Sequence, residues 1–351
     1  MISILVPSRN RQDYLLRLLR FYYEVQFDGE IIIGDASDNS LETLDQAELT
    51  RLRNRLDLQY FHLKDSSVQI TIRFMAEKAK GAYCVFCGDD DLILPSGLDV
   101  CRTFLENNSD YKTAQGDSCL FVLSSASGLL GRLAYAQHYW RSQSLEASSP
   151  LIRLQGYAKN YWVPQFSLHR TEDFVRVQRV VSHFTDNHFF ELISNAMFIA
   201  TGKSKFLPTP YLLRQAHNRR IHHFSLDEWQ NRPVFKGLYE QFINSLAEIL
   251  ADENQVDRTE MRQTAIEFFQ TYLWSAQSRP IGPNRKIFES QRIVVWFKRL
   301  LSNYSRGYSE RNMINSFARY LSPDVPLEKG TLFELRTFVK ILHSTSSPWQ
   351  S

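Results

Sequence analysis

Cysteine is scarce in this chain: Cys84, Cys87, Cys101 and Cys119 are the four among 351 residues. So few exclude a disulfide scaffold, and a reducing compartment would keep them as thiols. Cys84 and Cys87 spell C-x-x-C. Three residues apart on a strand they point to opposite faces, and no second pair with zinc spacing follows, so they read as buried thiols. Long apolar runs are missing too. None approaches the roughly 20 residues that a bilayer crossing needs, so any membrane relationship is peripheral. The opening stretch Ile2 to Pro7 lacks the charged lead-in, apolar length and cleavage site of a secretory signal, which points to the cytoplasm. Net charge is almost absent, 41 Lys plus Arg against 38 Asp plus Glu, and gives no case for a nucleic-acid binder or an acidic tail. No internal repeat or low-complexity tract stands out. With 43% hydrophobic residues, the chain can bury one large core or two smaller ones.

What the sequence does have is alternation. ISILVP (2–7), EIIIGDAS (30–37), LQYFHL (58–63) and YCVFCG (83–88) predict strands. RQDYLLRLLRFYYEV (11–25), LETLDQAELTRLRNRL (41–56) and QITIRFMAEKAKG (69–81) predict helices between them. Strands alternating with helices of this length imply an α/β protein with a mainly parallel sheet covered on both faces, its ligands gathering at the strands' carboxyl ends. Three polar clusters fall at such ends: Ser8-Arg9-Asn10, Asp35-Ala36-Ser37-Asp38 and Asp89-Asp90-Asp91. They should converge on one crevice.

Farther along, CLFVLSS (119–125) predicts a strand, and DNHFFELISNAMFIATG (186–202) a helix with Asp186 near its N-cap and Gly202 at its end. Beyond His223 the pattern is helical. VFKGLYEQFINSLAEILADE and RTEMRQTAIEFFQTYLWSA are amphipathic, and RKIFESQRIVVWFKRLL (285–301) is amphipathic and basic. That last face fits an anionic membrane surface, and fits somewhat better the rest of the chain or a second subunit of a homodimer.

Three aspartates directly after a buried run raise one another's ionisation cost, so a positive partner is expected there. In this order and spacing, ISILVPSRNR, IIIGDASDNS and AEKAKGAYCVFCGDDDLILPSGL resemble the landmarks of the inverting family 2 glycosyltransferases of GT-A fold. The likeness covers residues 1–100 well, 100–220 loosely and the tail hardly at all. It implies a GT-A domain over 1–225, with a nucleotide-sugar half (1–95) and an acceptor half (96–225), and a helical C-terminal domain over 226–351.

The resemblance also implies a site. Pro7, Ser8 and Arg9 match the turn that wraps the nucleotide. Asp35, with Ser37 beside it, matches the residue that binds the donor's base; read on its own, GDASDNS is an Asx-type turn. Mn²⁺ or Mg²⁺ would neutralise the acidic cluster and stabilise the departing diphosphate. With Pro95 fixing the register, the family's first metal aspartate falls on Gly88 and the later ones on Asp90 and Asp91; another register reads Asp89-x-Asp91. Asp90 is favoured, with Asp91 and Asp89 close behind. Arg73 stands where the family often has an Asn, and could pair with a phosphate or remain a solvated helix residue.

For the general base, Glu191 fits the family's spacing to Gly202, while Asp186 fits the helix start, where a carboxylate is equally an ordinary N-cap. RQAHNRRIHH (214–223) gathers Arg214, His217, Arg219, Arg220, His222 and His223. It reads as a loop closing over a pyrophosphate, with His217 able to complete a metal shell.

The implied function is hexosyl transfer from a nucleotide-sugar, UDP-sugar first, to a glycan or lipid-linked glycan in surface polysaccharide synthesis, at the cytoplasmic face and without nucleic acid. A catalytically inactive nucleotide- or glycan-binding scaffold is the alternative that Gly88 and Arg73 favour. A sugar nucleotidyltransferase would call for a glycine-rich phosphate loop that PSRNRQD lacks.

Overall fold

The computed structural model describes residues 1–124, 129–139, 143–217, 224–254, 256–278, 310–323 and 326–343. The expected segments Arg219 to His223 and 285–301 lie outside the described residues.

The chain opens with β1 (Ile2–Ser8), α1 (Gln12–Glu24) and β2 (Glu30–Asp35). After α2 (Leu41–Leu44) and α3 (Gln46–Arg53) come β3 (Asp57–His62), α4 (Val68–Lys78) and β4 (Tyr83–Phe86). The helix expected over 41–56 is broken at Asp45, whose carboxylate caps α3 by accepting from the Glu48 amide. β1 pairs in parallel with β2 and β4, and β2 with β3.

The second half adds β5 (Leu92–Ile93), α5 (Pro95–Asn107), β6 (Tyr111–Leu123), β7 (Leu133–His138) and α6 (Pro150–Lys159). Then come β8 (Leu168–Arg170), α7 (Thr171–Val181), α8 (Asn187–Thr201) and β9 (Lys203–Gln215). The nine strands form one sheet in the order β3-β2-β1-β4-β8-β6-β9-β5, with β7 also on β6. β8 runs antiparallel to both β4 and β6, and β9 lies parallel to β6. β1, β2, β3, β4, β6 and β9 therefore all point the same way, and the expected mainly parallel α/β sheet is what forms.

Side chains alternate across this sheet into two cores. Ile4, Val6, Ile31 and Ile33 join the core on the α1 and α5 side, while Leu5 and Ile32 join the one on the α4, α7 and α8 side. Each core strand is thus apolar on both faces, as a parallel sheet covered by helices requires. Gly34 makes the covering possible on one side: a Cβ there would lie 2.5 Å from Thr71 Cγ2 of α4. Cys84 and Cys87 fall into opposite cores, and all four cysteines are free and buried.

The chain leaves the sheet near residue 225 through α9 (Leu226–Gln230), then forms α10 (Phe235–Asn254), α11 (Arg258–Ser278), α12 (Glu310–Leu321) and α13 (Lys329–His343). Among the described residues these helices extend the two existing cores. Phe242, Leu246 and Phe268 pack with α8, whereas Phe317 and Phe338 pack with Phe21 and Phe121 on the other face. Among the described residues no helix is long and apolar enough to cross a membrane.

Candidate active site

Because six strands share one direction, their carboxyl ends share one edge of the sheet, where ligands of open α/β sheets bind. β1 ends in the turn Ser8 to Arg11, in which Asn10 takes a left-handed conformation (φ 55°), one that asparagine tolerates better than most residues. The Asn10 amide donates to Ser37 Oγ at 2.7 Å, and Asn10 and Asp38 exchange two further hydrogen bonds. This lacing holds the turns after β1 and β2 against each other. Asp35 is fully buried, accepting from the Ser37 amide at 2.9 Å, from Ser37 Oγ and from the Tyr60 hydroxyl at 2.6 Å. Pro7 pairs in register with Gly34, Ser8 turns inward and Arg9 is exposed.

Asp89, Asp90 and Asp91 are buried one strand away. Ser8 Oγ donates to Asp89 Oδ2 at 2.8 Å, and Arg11 Nη2 meets Asp89 Oδ1 at 2.5 Å. Arg11 Nη1 also reaches Asp90 Oδ2 at 3.2 Å, on the oxygen to which His217 Nε2 donates at 2.8 Å. Asp91 accepts from the Gln215 amide at 3.0 Å and has Arg214 Nε at 3.8 Å. Burial pushes the Asp89 pKa up to about 7 against the pull of Arg11, with Asp90 raising it further. Arg11 responds in kind: burial alone would lower its pKa, but the three aspartates raise it. The positive partner that the aspartates demanded is therefore present in the chain as Arg11 and Arg214.

The acidic turn is braced from several elements. Arg17 of α1 donates to the Asp90 carbonyl at 2.9 Å and to that of Leu129 at 2.8 Å, while its guanidinium lies over the Tyr14 and Phe338 rings. The Tyr22 hydroxyl donates to the Ile93 carbonyl at 3.0 Å. At the start of α5, Glu334 of α13 accepts from the Ser96 amide at 2.8 Å and from its hydroxyl at 2.7 Å. Helix α5 has no side-chain cap of its own, so Glu334 serves its open amides from outside.

α8 runs back from this same edge, since it precedes β9. The two candidate bases differ in company. Asp186 is the N-cap of α8, accepting from the His188 and Phe189 amides at 3.0 and 3.1 Å, from Trp229 Nε1 at 3.1 Å, and pairing with Arg232. Glu191 accepts from the Tyr161 hydroxyl at 2.6 Å, and Tyr161 packs edge-on against Tyr272 of α11. Arg214 feels the charge of both Glu191 and the acidic turn. Its guanidinium lies over the Tyr139 and Phe166 rings, and although burial opposes its charge, Tyr139, Asp91, Glu191 and Asp90 together raise its pKa. Arg73 is turned elsewhere: it is exposed, with Glu77 at 3.5 Å and Ser182 Oγ at 3.5 Å.

The structure thus gathers Ser8, Asp35, Ser37, Asp89, Asp90, Asp91, Arg214 and His217 at one edge, and Glu191 adds to the charge that Arg214 feels. Asp186 and Arg73 have their described bonds to other parts of the fold. Sequence reasoning missed Arg11, Arg17, Tyr60 and Tyr161. Arg11 was the readable one, the second arginine of PSRNRQD, next to the cluster that was singled out.

No protein-family profile matches the chain, and no curated protein matches it. Similar solved structures exist. Residues 1–349 of TarS from S. aureus match 97% of this chain and 90% of their own at 14% identity, with a TM-score of 0.50. The same TarS segment in complex with UDP-GlcNAc gives the same figures. The fold is GT-A-like.

Whether a divalent ion suits this GT-A-like site is answered at Gly88. A Cβ there would lie 2.8 Å from Asp90 Oδ1 and 3.0 Å from Asp91 Oδ2, so two carboxylate oxygens face the space that a glycine leaves open. With His217 on the other oxygen of Asp90, the donor set is the oxygen-rich kind that Mn²⁺ or Mg²⁺ accepts. Among the described residues no group of three or more His, Cys, Asp or Glu is spaced to hold an ion by itself. An ion there would need further oxygen ligands from outside these residues.

Proposed function

We propose that the protein is a metal-dependent inverting glycosyltransferase that moves a hexosyl group from a UDP-sugar to a glycan or lipid-linked glycan acceptor in surface polysaccharide synthesis. One observation carries this reading: the acidic turn, its arginines and His217 meet beside the Asp35 turn at the carboxyl edge of a GT-A-like sheet. TarS, the similar structure, was solved with UDP-GlcNAc.

Asp35 and Ser37 would bind the base of the nucleotide, with Pro7, Ser8 and Arg9 in the adjoining turn. Asp90, supported by Asp91 and His217, would hold Mn²⁺ or Mg²⁺, which when bound offsets charge developing on the departing diphosphate. Arg214 faces the same charge with its guanidinium fixed between two rings, which leaves little reorganisation to the reaction itself. Glu191 takes the proton of the acceptor hydroxyl as its oxygen bonds to the anomeric carbon. The bond from that carbon to the diphosphate breaks, and UDP leaves with the electron pair. Attack opposite the leaving group inverts the anomeric centre.

The test is a screen of nucleotide-sugars for Mn²⁺-dependent donor hydrolysis and transfer by the wild-type chain and by Asp90→Ala. Metal-dependent release of UDP from one donor, lost in the variant, is expected. A chain that binds UDP and never releases it from any donor would instead be a binding scaffold.

A further inference from the structure

We propose that Arg11 is a ligand of the donor diphosphate and the residue that makes the acidic turn able to accept an anion; this rests on the nucleotide-sugar reading above. Asp89, Asp90 and Asp91 crowd up to three negative charges into a buried corner, which by itself repels a diphosphate even when a divalent ion offsets part of that charge. Arg17 and Arg214 supply buried positive charge there, and Arg11 adds the cation that keeps an open side.

Geometry separates Arg11 from the other arginines of the site. The Arg17 guanidinium is spent on the main-chain carbonyls of Asp90 and Leu129, and withdrawing it would strand buried acceptors. Arg214 is stacked between the Tyr139 and Phe166 rings. The Arg11 side chain instead meets two carboxylates, Asp89 at 2.5 Å and Asp90 at 3.2 Å, and keeps 18% of its surface open. A phosphate can replace a carboxylate on a guanidinium with the same two-pronged geometry. The exchange leaves Asp89 held by Ser8 and returns Asp90 to His217.

The backbone fits such a role. Arg11 is the N-cap residue of α1 with no side-chain capping bond to maintain. The left-handed Asn10 before it, fixed by Ser37 and Asp38, turns the chain so that Arg11 reaches back over the strand ends. The nucleotide turn and the acidic turn therefore share one cation, placed where the diphosphate must lie between base and sugar.

The test is titration calorimetry of the full chain with UDP and with uridine in the presence of Mn²⁺, for wild type, Arg11→Lys and Arg11→Gln. Arg11→Gln is expected to weaken UDP binding by about tenfold to a hundredfold, the size of one charge-assisted hydrogen bond, and to leave uridine binding unchanged. Arg11→Lys should recover only part of the loss, since an ammonium keeps the charge without the two-pronged geometry. Equal UDP affinity in wild type and Arg11→Gln overturns the proposal. So does an equal loss for UDP and uridine, which would make Arg11 a brace of the turn. A wild-type chain that binds neither compound overturns the nucleotide-sugar reading itself, and this proposal with it.

Discussion

His217, just past the end of the last strand, donates to Asp90 in the middle of the acidic turn across 2.8 Å, and its ring stacks on Tyr14 at 4.7 Å between centroids. The contact joins residues 127 positions apart, so it exists only because β9 returns to the same edge as β4. If Asp90 and His217 act together on the ion, Asp90→Asn and His217→Ala should each abolish the Mn²⁺-dependent part of UDP stabilisation. At a hundredfold excess of UDP over its Kd in Mn²⁺, the whole stabilisation by UDP is worth about 2.7 kcal/mol in the wild type, and the Mn²⁺-dependent part is a share of it. Thermal melts with UDP, with and without Mn²⁺, read it directly; a His217→Ala chain that keeps the full Mn²⁺ effect removes His217 from the site.

Gly88→Ala separates site from fold. The new methyl would press on the carboxylate ends of Asp90 and Asp91, groups that can swing aside without moving backbone. Melting temperature without ligand should change little, whereas UDP affinity in Mn²⁺ should fall by about tenfold or more, since the ion's oxygens are displaced. Unchanged affinity would show that the space over Gly88 is not used.

Glu191 and Asp186 make opposite predictions. Glu191→Gln should keep UDP binding and lose turnover by a factor of about 100 to 10,000, the usual contribution of a general base. Asp186→Ala removes a helix cap, a bond from Trp229 and an ion pair with Arg232, and should cost about 1 to 3 kcal/mol of stability. Urea denaturation beside transfer assays distinguishes the two. Full turnover in Glu191→Gln would return the role of base to Asp186.

Glu334 makes stability depend on pH. Burial pushes its pKa up to about 7, Ser96 pulls it down and Asp99 adds to the rise. A carboxyl raised in the folded state contributes stability that is whole below its unfolded value of about 4.3 and is lost as pH climbs through about 7. Glu334→Gln lacks this dependence. The wild-type melting temperature should therefore fall relative to Glu334→Gln between about pH 5 and about pH 8; parallel curves would contradict it.

The first half of the fold was legible because each parallel strand is locally complete. Ile31 to Ile33 is apolar on both faces, and α1 carries Leu15, Leu18, Leu19 and Tyr22 inward. The strand expected at 119–125 is the far end of the longer β6, whose polar start Tyr111-Lys112-Thr113 hides its length. The site was legible to the extent that it sits at strand ends, as Asp35 and Asp89 to Asp91 do. Gln215 could not be assigned by type, because its bond to Asp91 comes from register between distant strands. Arg73 matched a family position, yet on a helix surface its i, i+4 neighbour Glu77 was the nearer partner.

The Ser96 to Glu334 bond spans 238 residues. Chains fold from the amino end as they are made, and contacts of such separation close late. The strands that carry the aspartates can therefore assemble well before α13 reaches the start of α5. Until then the turn is held by Arg17, Tyr22, Ser8, Arg11 and the end of β9 without its last brace, and a nascent chain would have its sheet before the start of α5 was secured.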